Sequence, residues 1–345
     1  MQHCGLDLHS KAIVFHTLDG AGKMVETGSF ATSEEELGAF CRRQGRLTQI
    51  YLEAGTASAW ASRLIEACGQ RAMVIDPTRN RMISGSVKKT DRNDAATLAM
   101  MGRAGFLVPV HVRREETDRV RQTLMARHAL VRCRANLVRV VRALHRSDGE
   151  LLPKSETDDF AENLKGKWGI DPEKADAVIP LVEAIDGMTT QILETEKTID
   201  GHARDNQELV ERLVKIPGVG TLTAVAFASH IEDPRRFTHA SQISGYFGLA
   251  PWVNESAGKR KGGKITKRGN KAVRWLLVQA AWSHLRSKED SALKRWAHSL
   301  MERVGSKKAI IGLARKLGEL MWTLWRKESR WEAFPPSSRR VASPP

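Results

Sequence analysis

The chain is organised around residues 88–96, which read Lys88-Lys89-Thr90-Asp91-Arg92-Asn93-Asp94-Ala95-Ala96. If Thr90 caps a helix, Asp91 and Asp94 lie three residues apart on one face of its first turn, about 5–6 Å from each other. Two carboxylates at that spacing favour a divalent cation such as Mg²⁺ or Mn²⁺, because hard cations prefer oxygen ligands. The alternative is that both acids only complement the positive end of the helix dipole. The motif alone leaves both interpretations open.

Length and charge restrict the function of the chain. Its 345 residues suffice for two or three domains with their own cores, and its net charge of +15 predicts a polyanionic partner, most commonly nucleic acid. The sequence has no run of about 18 apolar residues and no signal-peptide pattern, so we expect no membrane partner and a cytoplasmic location at the bacterial nucleoid. The cysteines are too scattered to predict a zinc ribbon or a disulfide framework: Cys4, Cys41, Cys68 and Cys133.

The N-terminal third alternates between strand and helix patterns. Strands are expected at about 4–8, 12–18, 23–30, 49–53 and 72–75, with helices at about 33–43 and 58–68. This order predicts a mixed sheet with helices packed on it. Polar residues at the carboxyl ends of strands line the functional crevice of such folds, so Asp7 and Glu53 join Asp91 and Asp94 as candidate site residues. We assign His9 to the strand face opposite Asp7 and to a structural role.

Two long helices are predicted in the middle of the chain, separated by a connector at about 151–169. The first covers about 115–146 and is rich in arginine, which suits bidentate contact with phosphate. The second carries Val178, Ile185, Ile192 and Ile199 at seven-residue spacing, which predicts a coiled coil within the chain or with a second subunit. The arginines of the first helix expected to bind nucleic acid are Arg127, Arg134, Arg139 and Arg142. The alternative is that they pair with acids of a neighbouring helix.

Two glycine-containing segments follow in the C-terminal third. Ile216-Pro217-Gly218-Val219-Gly220 precedes an apolar helix, so backbone N–H groups near Gly218 and Gly220 are expected to hold phosphate, in a segment that resembles a helix-hairpin-helix element. A plain packing unit is the alternative. Residues 252–270 are predicted to form a loop that binds phosphate. Its cations, together with the arginine of the next helix, are Lys259, Arg260, Lys261, Lys264, Lys267, Arg268 and Arg274.

The acidic residues resemble the active site of a known fold. An Asp in the first strand, a Glu ending the fourth and a D-x-x-D helix are similar to the ribonuclease H-like fold of RuvC-type nucleases. By that resemblance the metal-binding carboxylates are Asp7, Glu53, Asp91 and Asp94. Two metal ions held there would stabilise the attacking and leaving oxygens of an in-line displacement.

Five segments in the same order extend this resemblance over about residues 3–326. They are 5–9, 51–56, 89–95, 216–220 and 265–270 with Arg274, and together they resemble the DEDD transposases of insertion-sequence family one-ten. The resemblance implies a RuvC-like domain at 1–110, a helical coiled-coil region at 111–205 and a transposase domain at 206–330. A disordered tail is expected at 331–345.

The same resemblance implies an RNA-guided recombinase, in which a structured bridge RNA from the element pairs with target and donor DNA. The position that matches the family's catalytic serine is Ser256, which would form a covalent phosphoserine. Here Ser256-Ala257-Gly258 replaces the family's usual serine-glycine pair, and Thr266 ranks behind Ser256 as the attacking hydroxyl. Strand exchange requires several cut ends to be held together, which implies a homodimer or homotetramer.

Two other functions are compatible with these residues. The first is a metal-dependent nuclease that resolves DNA junctions, in which water attacks and Ser256 takes no part. The second is a non-catalytic RNA-binding scaffold whose acids are structural. Replacing Ser256 with Ala distinguishes the nuclease from the recombinase, whereas binding that is indifferent to Mg²⁺ would favour the scaffold.

Overall fold

The computed structural model describes residues 1–45, 48–77, 91–256 and 259–334, with the side chains of 91–92, 253–256 and 259–263 left undescribed. The chain divides into two compact units, Met1–Arg114 and a second unit that begins at Glu115. Within the described ranges, no helix is long and apolar enough to cross a membrane. Thr90, the expected helix cap, lies outside the described residues.

The first unit is a five-stranded mixed sheet with helices packed on it. The sheet order is β3-β2-β1-β4-β5, with β1 antiparallel to β2 and parallel to β4, and β4 parallel to β5. This arrangement confirms the expected mixed α/β fold and is consistent with a ribonuclease H-like domain. Its elements are β1 Gln2–Leu8, β2 Ala12–Leu18, β3 Met24–Ala31, α1 Glu34–Arg43, β4 Thr48–Glu53, α2 Ser58–Ala67, β5 Arg71–Ile75 and α3 Asp91–Arg103.

Local signals in the sequence account for most of these elements. The hydroxyl of Ser33 accepts a hydrogen bond from the backbone N–H of Glu36, which caps α1 as its sequence predicted. Leu6, Ile50 and Leu52 of the central strands are completely buried, because both faces of the sheet are covered there. A Cβ built on Gly5 would lie 2.0 Å from the carbonyl oxygen of Ala95, so α3 lies directly against β1.

The second unit is almost entirely helical, as expected for the C-terminal part of the chain. One β-hairpin interrupts the series of helices. Its elements are α4 Glu115–Ser147, α5 Phe160–Asn163, a π-helical turn Leu164–Trp168, a 3₁₀ turn Pro172–Lys174, α6 Ala175–Asp205, α7 Gln207–Val214, α8 Thr221–Ile231, a 3₁₀ turn Pro234–Arg236, α9 Ala240–Tyr246, β6 Pro251–Ser256, β7 Lys259–Ile265, α10 Lys271–Arg286, α11 Ala292–Val304 and α12 Ser306–Arg326.

Helices α4 and α6 form a long antiparallel pair. Their direction follows from two contacts, Arg127 with Glu196 and Arg134 with Thr189, because one residue number rises as the other falls. The apolar residues of α6 at seven-residue spacing are buried. Those nearest the N-terminus of α6, Val178 and Ile185, share a hydrophobic cluster with Val138 of α4. The pair therefore uses the apolar stripe that the sequence revealed. The buried members of that stripe are Val178, Ile185, Ile192 and Ile199.

Residues 151–169 are more than the connector that the sequence suggested. Phe160 and Leu164 are completely buried and pack against Val178 and Val182 of α6. The segment is polar on average, so its composition concealed these apolar anchors. Their role depends on the apolar face that α4 and α6 form together, which the sequence of the segment alone does not show.

The remaining helices enclose the largest apolar core. Fully buried residues from α7, α8, α10 and α12 meet there, for example Leu213, Phe227, Leu277 and Leu317. At the end of the described chain, the backbone N–H of Ala292 donates to the carbonyl of Ala333. The first residues of the expected tail are therefore hydrogen-bonded to this unit, and residues 335–345 lie outside the described chain.

Candidate active site and nucleic-acid-binding residues

Asp7 and Glu53 lie at the same edge of the sheet. The parallel strands β1 and β4 are in register at Gly5 with Tyr51 and at Leu6 with Leu52, and one further step reaches Asp7 and Glu53. Since side chains alternate along a strand, Asp7 shares a face with Gly5, and Glu53 shares that face with Tyr51. The two carboxylates therefore project from neighbouring strands, on one face and at one edge.

Helix α3 brings its N-terminus to this edge. It covers the face that carries Gly5 and Tyr51, because Ala95 faces Gly5 and a Cβ built on Gly102 would overlap the Tyr51 ring. Arg103, the last residue of α3, donates to the carbonyl of Gly20, beyond the other end of β1. The helix thus runs opposite to β1. Its first turn, which begins at Asp91 and includes Asp94, points towards the carboxyl ends of β1 and β4.

The chemistry of these groups suits a divalent cation, because all four are carboxylates. The side chains of Asp7, Glu53 and Asp94 are partly buried, whereas that of Asp91 lies outside the described residues. Among the side chains that are described, no three from His, Cys, Asp and Glu lie close enough to share an ion. Carboxylates repel one another until a cation lies between them, so a cation would favour their closer approach.

The assignment of His9 to the face opposite Asp7 is wrong. Residues two apart on a strand share a face, and the ring N–H at Nε2 of His9 donates to Oδ2 of Asp7 over 3.0 Å. The same geometry places His9 beside a candidate metal ligand, where it can orient the carboxylate. The Asp-x-His spacing was the signal in the sequence that identifies this contact.

A small cavity of about 310 Å³ opens where β4 ends. It is lined by Gly55 and Ser58 at the start of α2 and by His111 and Arg113 from the end of the unit. No pattern in the sequence predicts this cavity, because its lining residues come from separate segments of the chain.

Several arginines of α4 serve the helix pair. Arg134 is only 5% exposed; its guanidinium donates to Thr189 and is paired with Asp158. Arg142 donates to the carbonyls of Leu152 and Pro153. For these residues the alternative of pairing within the protein describes the structure, and the prediction that Arg134 contacts nucleic acid is wrong because its side chain is buried.

The other two arginines of that group differ from each other. Arg127 binds Glu196 of α6 and is largely covered. Arg139 is exposed, and its contacts among the described residues are to its own helix, through the side chain of Asn136 and the carbonyl of Ala135. Of the four predicted arginines, Arg139 is therefore the one displayed on the surface.

The two glycines of residues 216–220 have different surroundings. Gly218 has φ +87°, and a Cβ there would lie 2.5 Å from the carbonyl oxygen of Ala280, so this residue allows the turn to approach α10. Gly220 is exposed and precedes α8, which has no side-chain cap to satisfy its first N–H groups. The α7–turn–α8 arrangement is that of a helical hairpin, and phosphate binding near Gly218 and Gly220 stays a prediction.

His284 holds this turn in place. The N–H at its Nδ1 donates to the carbonyl of Pro217 over 2.7 Å, and its Nε2 accepts from the hydroxyl of Ser291. Burial lowers the pKa of His284, which keeps the imidazole neutral as this pair of contacts requires.

The basic stretch is a β-hairpin and not the loop that its composition suggested. Ser256 ends β6 and pairs with Lys259 at the start of β7. The side chains of Ser256, Lys259, Arg260 and Lys261 lie outside the described residues. Residues 259–264 are Lys, Arg and Gly, so the alternating apolar pattern that usually reveals a strand is absent from most of β7.

The residues after the hairpin divide into exposed cations and a structural arginine. Lys264, Lys267 and Arg268 are exposed. Arg274 donates to the carbonyls of Phe247 and Arg268, and burial lowers its pKa. Arg274 therefore fixes the turn that displays the cations. The hydroxyl of Thr266 is buried, which argues against it as an attacking group.

The sheet order of the first unit is consistent with a ribonuclease H-like domain. Two family matches give this class a more specific meaning. Residues 4–146 match a DEDD transposase family, and residues 210–297 match the transposase family described as IS116/IS110/IS902. The chain belongs to the IS110 family of transposases, enzymes that act on DNA, as its motifs suggested.

Individual relatives agree with this assignment. A probable family 20 transposase of Pseudomonas aeruginosa is 25% identical over 95% of this chain and 98% of its own length. The transposase for insertion sequence element IS1111A of Coxiella burnetii is 26% identical over 96% of this chain and 88% of its own length. A putative transposase of Sinorhizobium fredii, y4qE, is 31% identical over 67% of this chain and 57% of its own length. Membership of a DEDD-type family also suggests dependence on a divalent metal.

Proposed function

We propose that this transposase is an RNA-guided DNA recombinase that cuts and rejoins DNA through a phosphoserine at Ser256. The observation that carries the proposal is the approach of three sequence-distant segments to one edge of the sheet. The carboxyl ends of β1 and β4 supply Asp7 and Glu53, and the first turn of α3 supplies Asp91 and Asp94. Nothing in the packing of an ordinary core requires acids at all of these positions, since buried carboxylates are costly.

These four carboxylates would hold Mg²⁺ or Mn²⁺. The ion supplies Lewis-acid stabilisation of the charge that develops on the scissile phosphate. Within the protein, His9 donates to Asp7 and restricts the rotation of that carboxylate. Asp94 is partly buried in the first turn of α3, from which its carboxylate would bind the ion.

Ser256 provides the nucleophile in this proposal. Its Oγ forms a bond to phosphorus and releases its proton, while the bridging oxygen of the cut strand leaves as a hydroxyl. In the second step, a hydroxyl at another strand end attacks the phosphoserine, and Ser256 leaves with a proton. The bond energy is conserved, so the strands are rejoined without a nucleotide cofactor. The exposed Lys264, Lys267 and Arg268 would neutralise charge on the phosphate backbone.

The partners in this proposal are donor DNA, target DNA and a structured bridge RNA. A net charge of +15 suits a complex with several polyanionic strands. Sequence choice by base pairing with a guide requires no base-reading side chains, because the protein then contacts mainly backbone and shape. A homodimer or homotetramer would hold the cut ends together until they are exchanged.

The decisive experiment looks for a covalent protein–DNA adduct. The purified protein is incubated with labelled element-end DNA, its native flanking transcript and Mg²⁺, and the products are resolved under denaturing conditions. We expect an adduct from the wild type and from Thr266→Val, and none from Ser256→Ala, Asp7→Asn or Asp94→Asn or after chelation of the metal. A Ser256→Ala protein that still cuts DNA would identify a junction-resolving nuclease instead. RNA copurified from cells tests guidance separately, because a bridge RNA predicts one discrete transcript.

A further inference from the structure

Two of the nine tryptophans differ from the rest in their surroundings. Seven pack in or against one of the hydrophobic cores, as expected for large aromatic residues. Trp252 and Trp275 belong to none of these cores and are 52% and 46% exposed. A single exposed aromatic side chain is common on protein surfaces, so its neighbours decide whether it can bind a ligand.

Trp275 lies on the surface where α10 contacts α4. Its ring centroid is 6.4 Å from that of His128, with the two planes inclined at 62°. Lys271 lies one turn before Trp275 on α10, and Arg132 lies one turn after His128 on α4. Helical residues four apart share a face, so Lys271 lies on the same face of α10 as the exposed indole, and Arg132 lies on the same face of α4 as His128. Burial lowers the pKa of His128, and the nearby charges of Arg132, Lys271 and Arg127 lower it further.

The two cations near Trp275 differ in their surroundings from the paired arginines of α4. Arg132 and Lys271 are exposed, and neither has an acidic partner among the described side chains. Other arginines of α4 are paired, for example Arg119 with Glu115 and Arg127 with Glu196. The surface formed by His128, Arg132, Lys271 and Trp275 is therefore both aromatic and positively charged.

We propose that Trp275 is a stacking platform for an unpaired base of a single-stranded nucleic-acid segment, with Lys271 and Arg132 binding phosphates of the same strand. An aromatic side chain can stack on any base whose face is accessible, whereas the bases of an intact duplex are stacked on each other. His128 restricts the indole on one side and leaves part of it open to a base. The inference rests on the proposed function only in requiring a nucleic-acid partner with an unpaired segment.

The test compares single strands with a duplex of the same sequence. Fluorescence anisotropy measures binding of a labelled DNA strand, the corresponding RNA strand and the DNA duplex to wild type, Trp275→Ala and Trp275→Phe. Trp275→Ala removes the stacking of one base and should weaken single-strand binding roughly 5- to 150-fold, while duplex binding changes less than about twofold. Trp275→Phe should retain most of the affinity. If the Trp275→Ala substitution weakens binding of the DNA strand more than that of the RNA strand, DNA is the partner of this surface. The opposite order identifies RNA.

The two cations give an independent prediction. Arg132→Gln and Lys271→Gln should each reduce the slope of log affinity against log salt by about 0.7 for a single strand, because each cation releases one condensed counterion. Arg119→Gln is the matched control on the same helix, since its charge is already paired with Glu115. Phe106→Ala removes a 69% exposed aromatic residue from the first unit and controls for the loss of apolar surface.

Three results would overturn the proposal. The first is single-strand affinity within twofold of wild type in Trp275→Ala. The second is equal weakening of single-strand and duplex binding. The third is a photo-crosslink from a bromouracil-containing strand that maps to residues away from Trp275. This measurement uses the wild-type protein, so it does not depend on whether a variant folds. The Ser256→Ala protein separates this inference from the catalytic proposal, because it should lose the adduct and keep binding that depends on Trp275.

Discussion

Replacing Gly5 with Ala tests the close approach of α3 to the central strand. A Cβ at this position would lie 2.0 Å from the carbonyl oxygen of Ala95, whereas ordinary contact begins at 3.4 Å. The helix must therefore move by about 1.4 Å, which is 3.4 minus 2.0. The obstructing atom belongs to the backbone and cannot rotate away. Overpacking of this kind costs about 1–3 kcal/mol, and we expect the upper end of that range.

The displacement should also reach the candidate active site. Asp94 precedes Ala95, so movement of this turn carries the carboxylate away from Asp7. A misplacement of about 1 Å can lower a catalytic rate by roughly 100-fold, more than the loss of folded protein alone would explain. Denaturant unfolding of the full chain measures the stability, and the rate of adduct formation measures the activity of the folded fraction.

Gly45→Ala is the matched control, because nothing lies within 4 Å of a Cβ at that exposed position. It should leave both stability and rate near wild-type values. If Gly5→Ala unfolded at the same denaturant concentration as Gly45→Ala, the described packing of α3 on β1 would be wrong. If it were destabilised but reacted at the wild-type rate, the first turn of α3 would not contribute to catalysis.

Three further predictions concern the second unit. Arg134→Met should destabilise the protein by about 1–3 kcal/mol because a buried hydrogen-bonding group is lost, whereas the exposed Arg139→Met should be nearly neutral; equal denaturation midpoints would contradict this. Gly218→Ala should lower stability and duplex binding together, since its φ is +87° and its Cβ would meet α10, while Gly220→Ala should fold normally in a melting experiment. Burial holds the pKa of His284 below its ordinary value of 6.5, so unfolding takes up a proton as the pH falls below 6.5, and stability decreases there. His284→Gln should reduce this slope between about pH 7 and pH 5, and an unchanged slope would refute the assignment.

The strands, most helices and the candidate acids were predictable because their signals are local. The alternation along 12–18 and the cap at Ser33 depend only on residues within one or two turns of chain. The Asp and Glu at strand ends stood out because few other reasons place acids there. The contact of His9 with Asp7 was equally local, and it was missed through a misapplied strand period rather than through missing information.

Tertiary structure decided which arginines remain on the surface. Arg134 and Arg139 look alike in the sequence, and only the docking of α6 on α4 buries the first and exposes the second. In the same way, Phe160 becomes an anchor because the paired helices offer it an apolar face. Trp275 is exposed because the core of its unit forms on the other side of α10.

The sequence by itself therefore determined the type of most elements and the positions of the carboxylates along the chain. The structure decided which side chains meet, which glycines permit close approach, and which cations pair with acids within the described residues. The physical reason is that propensity, capping and periodicity act over a few residues, whereas burial and ion pairing depend on which faces come together. Gly5 is an example of this difference. Its position cannot accommodate a Cβ because it packs against a helix that begins 86 residues later, at Asp91.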